Sequence, residues 1–119
     1  MADLDFQSGD RLHRGADFRR VYAARRSAAD EQLVVYVAEN NRETSRLGLS
    51  ISRKVGGAVV RNQWKRRLRE AFRLGRGAWP CGLDIVVVAR VAAVDFATLR
   101  GSLDRLILRA AKKMGRAKP

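Results

Sequence analysis

The chain is short of the side chains that most often do chemistry. Its 119 residues include one histidine, His13, and one cysteine, Cys81. A single cysteine excludes an intramolecular disulfide. Metal-free RNA cleavage needs a paired general acid and base, usually histidines, and His13, near the chain's start, reads instead as a surface residue. Cys81 has no evident histidine partner and reads as buried or inert. Acids are thin as well: between Glu43 and Asp84 stands only Glu70, so the clustered carboxylates of a metal-dependent nuclease are missing. No zinc-ligand spacing, phosphate loop or dinucleotide fingerprint occurs. No apolar run approaches the roughly 20 residues of a membrane span. The opening MADLDFQSGD is too polar and acidic for a signal peptide. The default expectation is a cytoplasmic protein without a catalytic constellation of its own.

What is abundant is positive charge. Lys and Arg number 25 against 12 Asp and Glu, a formal charge of +13 with a pI near 11.4. Such a protein repels itself and seeks polyanions, nucleic acid ahead of a membrane surface. The excess is localised. Residues 1–52 carry 8 basic and 8 acidic residues, residues 53–76 carry 9 and 1, and residues 77–119 carry 8 and 3. Hydrophobic residues make up 46% of the chain, enough for the core of one domain over residues 1–119. Residues 1–10 and 115–119 are expected to be flexible.

Periodicity supplies the elements. Phe18, Val21 and Tyr22 share a helical face in the segment 11–26, with Asp17 as a cap or first-turn acid. QLVVYVA, residues 32–38, reads as a strand with Leu33, Val35 and Val37 on one face and Val34, Tyr36 and Ala38 on the other. RLGLSIS, residues 46–52, alternates Leu47, Leu49 and Ile51 with Gly48, Ser50 and Ser52. These two strands are expected to pair as an antiparallel hairpin or meander, and a further short early strand has no definite position. LDIVVVA, residues 83–89, suggests a central strand buried on both faces. GRGAWPCG, residues 75–82, is a loop. A second amphipathic helix spans 95–114, through Phe96, Leu99, Leu103, Leu106, Ile107, Ala110 and Met114, with Asp95 as its cap.

Between the loops lies KVGGAVVRNQWKRRLREAFR, residues 54–73. At about 100° per residue, Val60, Trp64, Leu68, Ala71 and Phe72 form an apolar stripe. Asn62, Lys65, Arg66, Arg69 and Arg73 fall on another arc, with Arg61 at the junction and Arg67 flanking the stripe. Solvated helix faces ordinarily mix signs, because acid–base pairs at i,i+4 add stability. Here Lys65, Arg69 and Arg73 are like charges at that spacing, which points to an anionic partner. Guanidinium forks suit phosphate and also stack on bases. Gly56 and Gly57 either expose amide donors at the helix start or merely turn the chain. Phe18, Tyr22 and Tyr36 read from spacing alone as core before groove, although rings in a basic groove are how single-stranded nucleic acid is held.

The stretch Lys54-Val55-Gly56-Gly57-Ala58-Val59-Val60-Arg61-Asn62-Gln63-Trp64-Lys65-Arg66 resembles the signature of the bacterial ribonuclease P protein subunit. The resemblance extends to Arg11-Leu12, Asp17-Phe18 and Val21-Tyr22, to Leu47 through Lys54, and to Asp84 through Arg90, covering roughly residues 11–110. Gln63 departs from the second arginine of the family's Arg-Asn-Arg, and Gly57 from a common asparagine. The resemblance implies an α+β two-layer sandwich of order αβββαβα, its sheet central and mostly antiparallel, with a left-handed crossover, like the second domain of ribosomal protein S5. It implies a cofactor for a catalytic RNA that removes the 5′ leader from precursor tRNA, with Mg²⁺ bound mainly by the RNA, no organic cofactor, no catalytic residue in the protein, no membrane and no DNA partner. Arg61, Asn62, Lys65, Arg66, Arg69 and Arg73 would hold the RNA subunit, with Arg53 and Lys54 extending that surface. Phe18, Tyr22, Val34, Tyr36 and Ser50 would form the cleft for the leader. A general RNA- or ribosome-binding protein without a processing role, and a protein-only nuclease, are the alternatives.

Overall fold

A run as apolar as LDIVVVA needs neighbours on both edges and cover on both faces, and the fold supplies them. The computed structural model describes residues 11–91 and 96–114. Its elements are α1 (Gly15–Ala23), β1 (Ser27–Ala29), β2 (Leu33–Glu39), β3 (Arg46–Ser50), α2 (Ala58–Gly75), β4 (Leu83–Ala89) and α3 (Phe96–Lys112). The early short strand is β1. The expected cap Asp95 and the segments 1–10 and 115–119 lie outside the described residues.

The sheet runs β1-β2-β4-β3. β1 and β2 are antiparallel, as are β2 and β4, while β3 lies parallel to β4. The expected β2–β3 hairpin is therefore wrong. The two strands do point in opposite directions, but β4 is inserted between them, where both of its edges are hydrogen-bonded. The loop 40–45 makes that insertion possible by crossing the start of β4. Asn40 N–H donates to Gly82 O at 3.0 Å, and Leu83 N–H to Ser45 Oγ at 3.1 Å. Gly82 sits at φ +76°, and a Cβ there would stand 2.8 Å from Arg42 O. Only glycine meets both demands.

One face of the sheet carries the main core. Leu33, Val35, Val37, Leu47, Ile85 and Val87 meet Trp64, Leu68 and Phe72 of α2 and Leu99, Leu103, Leu106 and Ile107 of α3, all buried. The stripe expected on α2 is thus the buried one, each large side chain contributing roughly 1.5–3 kcal/mol. The loop after α2 adds a core member that periodicity did not reveal. Trp79 is buried against Phe72, with its Nε1–H donated to Asp104 Oδ1 at 2.8 Å. Cys81, expected to be buried or inert, is exposed. It lies in the loop before β4, where Trp79 and Pro80, not the thiol, turn inward.

Among the described residues, the opposite face is covered by α1 and by Leu12 of the segment before it. A smaller cluster forms there from Leu12, Val21, Ala38 and Val86, with Phe18, Tyr22, Tyr36 and Val88 packed beside it and only partly buried. Asp84, on this face of β4, is 0% exposed. Arg46 Nε and Nη2 donate to its two oxygens at 2.8 and 2.6 Å, Asn40 Nδ2 donates at 2.9 Å, and Arg20 of α1 forms a further ion pair. Arg20 also donates to Glu39 O at 3.0 Å. One carboxylate therefore ties α1, β3 and the 40–45 loop to the central strand.

Candidate nucleic-acid interface

Two surfaces flank the edge strand β3, one cationic and one aromatic. The cationic one is the outer side of α2. Asn62, Gln63, Arg66 and Arg67 are exposed there, and Arg61, Lys65, Arg69 and Arg73 are partly so. Arg53 and Lys54, in the turn before the helix, are exposed as well. Two of the expected contacts also have partners within the chain. Arg61 Nε donates to Gly56 O at 3.2 Å, which tethers the glycine turn to the helix. Arg73 Nη2 pairs with Glu70 at 2.6 Å, so the helix's one acid is matched three residues on. Hydrogen bonding by Arg73 leads the causes that hold the Glu70 carboxyl below its ordinary pKa. The cations at Lys65, Arg66, Arg67 and Arg69 are left in net excess. Gly57 is the N-cap residue of α2, with nothing within 4 Å of a built Cβ, so the family's asparagine would fit. Gln63 projects into solvent from the first half of the helix.

The aromatic surface lies across β3 from α2. The register puts Val34 opposite Val88 and Val88 opposite Ser50, so these three form one row across the sheet. The next row holds Tyr36, Val86 and Gly48. α1 lays its rings over that second row. Tyr22 meets Tyr36 edge-on, with centroids 4.9 Å apart and planes at 86°, and Phe18 lies 6.5 Å from Tyr22. The five residues expected in a cleft, Phe18, Tyr22, Val34, Tyr36 and Ser50, therefore share one face. The rings are at once part of the small core and partly exposed. Sequence reasoning missed Val88, which lies between Val34 and Ser50, because β4 was not placed between their strands. It also missed Gly48. A Cβ at Gly48 would stand 2.7 Å from Phe18 Cζ and 3.1 Å from Leu12, so the missing side chain sets how closely α1 sits on the sheet.

Gly48→Ala tests that closeness. The added methyl must displace Phe18, and overpacking of this kind costs about 1–3 kcal/mol. A lower melting temperature and shifted Phe18 ring resonances are expected; unchanged ring resonances would contradict the close approach.

The N-terminal segment joins the two surfaces. Arg11 bridges Leu47 in parallel fashion, and Leu12 N–H donates to Leu47 O at 3.0 Å, along the outer edge of β3. A pocket opens there between this segment, β3 and α2, lined by Arg11, Leu12, His13, Leu47, Leu49, Lys65 and Arg69. Burial, and then the charge of Arg11, lower the pKa of Arg69, which nonetheless remains a cation at neutral pH. Among the described residues there is no group of three or more His, Cys, Asp or Glu side chains placed to hold a metal ion, and no helix long and apolar enough to cross a membrane.

Comparison with known proteins bears on the same segments. The ribonuclease P family model matches residues 6–111. The ribonuclease P protein component of Alkaliphilus metalliredigens is 43% identical over 84 residues, spanning 71% of this chain and 76% of that protein. The component from Clostridioides difficile is 39% identical over 110 residues, spanning 89% and 96%. Among solved structures, the RNase P protein of Staphylococcus aureus superposes with a TM-score of 0.76 at 37% identity, covering 87% of this chain and 95% of that one. The RNase P protein of Thermotoga maritima gives 0.72 at 38% identity, covering 80% and 96%. Sequence and backbone agree over nearly the whole described fold, and on that ground the chain belongs to the ribonuclease P protein family.

Proposed function

We propose that this chain is the RNA-binding subunit of a ribonucleoprotein endoribonuclease, assisting a catalytic RNA in removing the 5′ leader from precursor tRNA. The observation that carries this reading is the outer face of α2, which presents Asn62, Lys65, Arg66 and Arg69 with one acid, Glu70, already paired to Arg73. In this reading that face, with Arg53, Lys54, Arg61 and Arg73, contacts the phosphate backbone of the RNA subunit. Guanidinium–phosphate pairs position the two molecules without reading sequence. The aromatic face receives the extended leader. Its rings offer partly exposed π-surfaces for bases, and Val34, Val88 and Ser50 give a shallow floor. Stacking of this kind tolerates many sequences, which suits a leader that differs from one precursor to the next.

The protein's part is to bind and orient, and hydrolysis belongs to the RNA. Mg²⁺ is assigned to the RNA partner, since the buried carboxylate Asp84 has both oxygens engaged by Arg46, with Asn40 and Arg20 beside them. We place the complex in the cytoplasm, where precursor tRNA is processed in this reading. Reconstitution tests the proposal: ribonuclease P RNA and precursor tRNA at low Mg²⁺, with and without the protein. Stimulated 5′ cleavage is expected. No stimulation, or binding to ribosomal RNA without preference for the ribonuclease P RNA, would count against it. Within that assay, Tyr22→Ala is expected to weaken precursor binding several-fold while leaving mature tRNA unaffected, because stacking contributes about 1–3 kcal/mol per base. Equal losses on both substrates would remove the leader from this cleft.

A further inference from the structure

The aromatic face does not stop at its rings. Ser27 pairs with Tyr36 and Ala29 with Val34, so β1 extends both rows of that face to the sheet edge farthest from β3. Both layers of the fold send cations to this edge. From the core side, Lys113, just past the end of α3, donates its Nζ–H to Ser27 O. From the ring side, α1 ends at Ala23 and the chain enters β1 through Arg25 and Arg26. Arg26 donates Nη1–H to Ala24 O at 3.2 Å, and its buried Nε has no partner among the described residues. Arg25 is exposed and stands at φ 56°. That is the left-handed region, which a β-carbon makes costly and glycine occupies freely. Its amide bonds Tyr22 O at 3.1 Å, a backbone role that glycine fills equally well at the end of a helix. The exposed side chain gains no packing in return for the strain. Residues held in such conformations cluster where function requires them.

We propose that Arg25 and Lys113 clamp the phosphate backbone of the precursor's leader where it leaves the aromatic face over β1. The proposal rests on the leader reading above and deepens it by making the contact depend on leader length. With α2 holding the RNA subunit, the β3 edge lies toward the catalytic RNA and the β1 edge toward the leader's free 5′ end. Three strand spacings of about 4.8 Å separate the two edges. A stacked strand rises about 3.4 Å per nucleotide, so roughly four nucleotides cross the face. Tyr36, opposite Ser27, and Tyr22, three residues before Arg25, are the last rings before the edge. A strand leaving them carries its next phosphates past Arg25 and Lys113. A guanidinium and an ammonium hold phosphate without reading sequence, as a leader of variable sequence requires. The residues after Lys113, MGRAKP, include no acid. Cations at helix C-termini also offset the helix dipole, but that role is blind to the length of a leader.

Leader length is therefore the variable to change. Holoenzyme reconstituted with ribonuclease P RNA is titrated with two precursors. One has a leader of about two nucleotides, which ends on the sheet, and the other a leader of about eight, which passes β1 at the same rise. The variants are Arg25→Gly, Lys113→Ala and the pair. For the long leader, each single change is expected to weaken binding about three- to fivefold, the upper range for an exposed charge pair. The pair is expected to lower the salt slope by about 0.7 for each phosphate released. Binding of the short leader is expected to stay unchanged in all three. Arg25→Gly also removes the left-handed strain, so its melting temperature is expected to match or exceed that of the parent protein. Weaker long-leader binding in a protein at least as stable separates the clamp from a structural role. Arg25→Lys, which keeps the charge and loses the fork, should retain part of the binding. Equal losses on the two leaders, or none on the long one, overturn the clamp. A lower melting temperature for Arg25→Gly with long-leader binding intact makes Arg25 a helix-capping residue only, and overturns it too. Tyr22→Ala in the same assay keeps the two readings apart. If it weakens precursor binding while Arg25→Gly and Lys113→Ala do not, the leader lies on the rings and the clamp is lost. If it leaves precursor binding unchanged, the leader reading itself fails.

Discussion

Asp84→Ala is expected to lower stability by about 3 kcal/mol, the lower end of the cost of breaking a buried ion pair, because Arg20 is 42% exposed and regains water. For a domain of this size that is a fall in melting temperature on the order of 15 °C. The loss arises because Arg46, 13% exposed, keeps its charge with only the longer 3.9 Å pairing to Asp17, and Asn40 loses one acceptor. The pH dependence is a second signature. Burial pushes the Asp84 carboxyl up, but hydrogen bonds from Arg46 and Asn40 and the charges of Arg46 and Arg20 outweigh it and leave the pKa lowered. A depressed folded-state pKa gives stability that is complete above the unfolded value, about 3.9. That stability is lost as pH falls through the folded value. Asp84→Asn should therefore flatten the acid limb of a plot of urea midpoint against pH. It should not abolish that limb, because Asp30 is also held low. Its burial is outweighed there by hydrogen bonds from Ser102 and the backbone of Leu33 and Gln32 and by the charge of Arg105. An acid limb identical to that of the parent protein would contradict the ion-pair assignment.

The second large effect belongs to the cationic face. Arg66→Ala with Arg69→Ala is expected to weaken binding to the ribonuclease P RNA by about two orders of magnitude, each charge-assisted contact supplying about 1.5–3 kcal/mol. The salt dependence should fall with it, by about 0.7–0.9 in slope for each phosphate released. Stability should hardly move, since both side chains lie away from the Trp64–Leu68–Phe72 stripe. Filter binding from 50 to 300 mM salt provides the measurement. An unchanged slope would mean that α2 does not face the RNA.

Much of this was legible in the chain before any coordinates. The division of α2 into a buried stripe and a cationic arc follows from spacing alone, because 18 residues of helix present the pattern in full. The burial of β4 on both faces follows from its composition. Other features were invisible for definite physical reasons. Strand adjacency is a long-range choice. Alternation in β2 and β3 fixes which side chains share a face, but not that residues 83–89 come between them. Trp79 lies in a turn with no period to betray its burial. Asp84 reads as one acid beside an apolar strand, and its role emerges only when Arg20, Arg46 and Asn40 arrive from 64, 38 and 44 positions away. In the candidate site the same limit applies to Gly48, whose meaning depends on the approach of α1, and to Arg11 and His13, which join Lys65 and Arg69 only through the bridge to β3.

The insertion of β4 between β2 and β3 also dictates when the molecule can come together during synthesis. Until residues 83–89 leave the ribosome, the strand pairings open to the nascent chain among the described residues are the short β1–β2 ladder and the single Arg11–Leu47 bridge, because β3 pairs with β4 and not with β2. The basic helix is made before the strand that completes the sheet beneath it. For that interval its tryptophan and phenylalanine have no finished sheet to cover, while its arginines are already able to meet the RNA around them. Closure waits on seven late residues, and a chain truncated before Leu83 is expected to have neither a central sheet nor a stable α2.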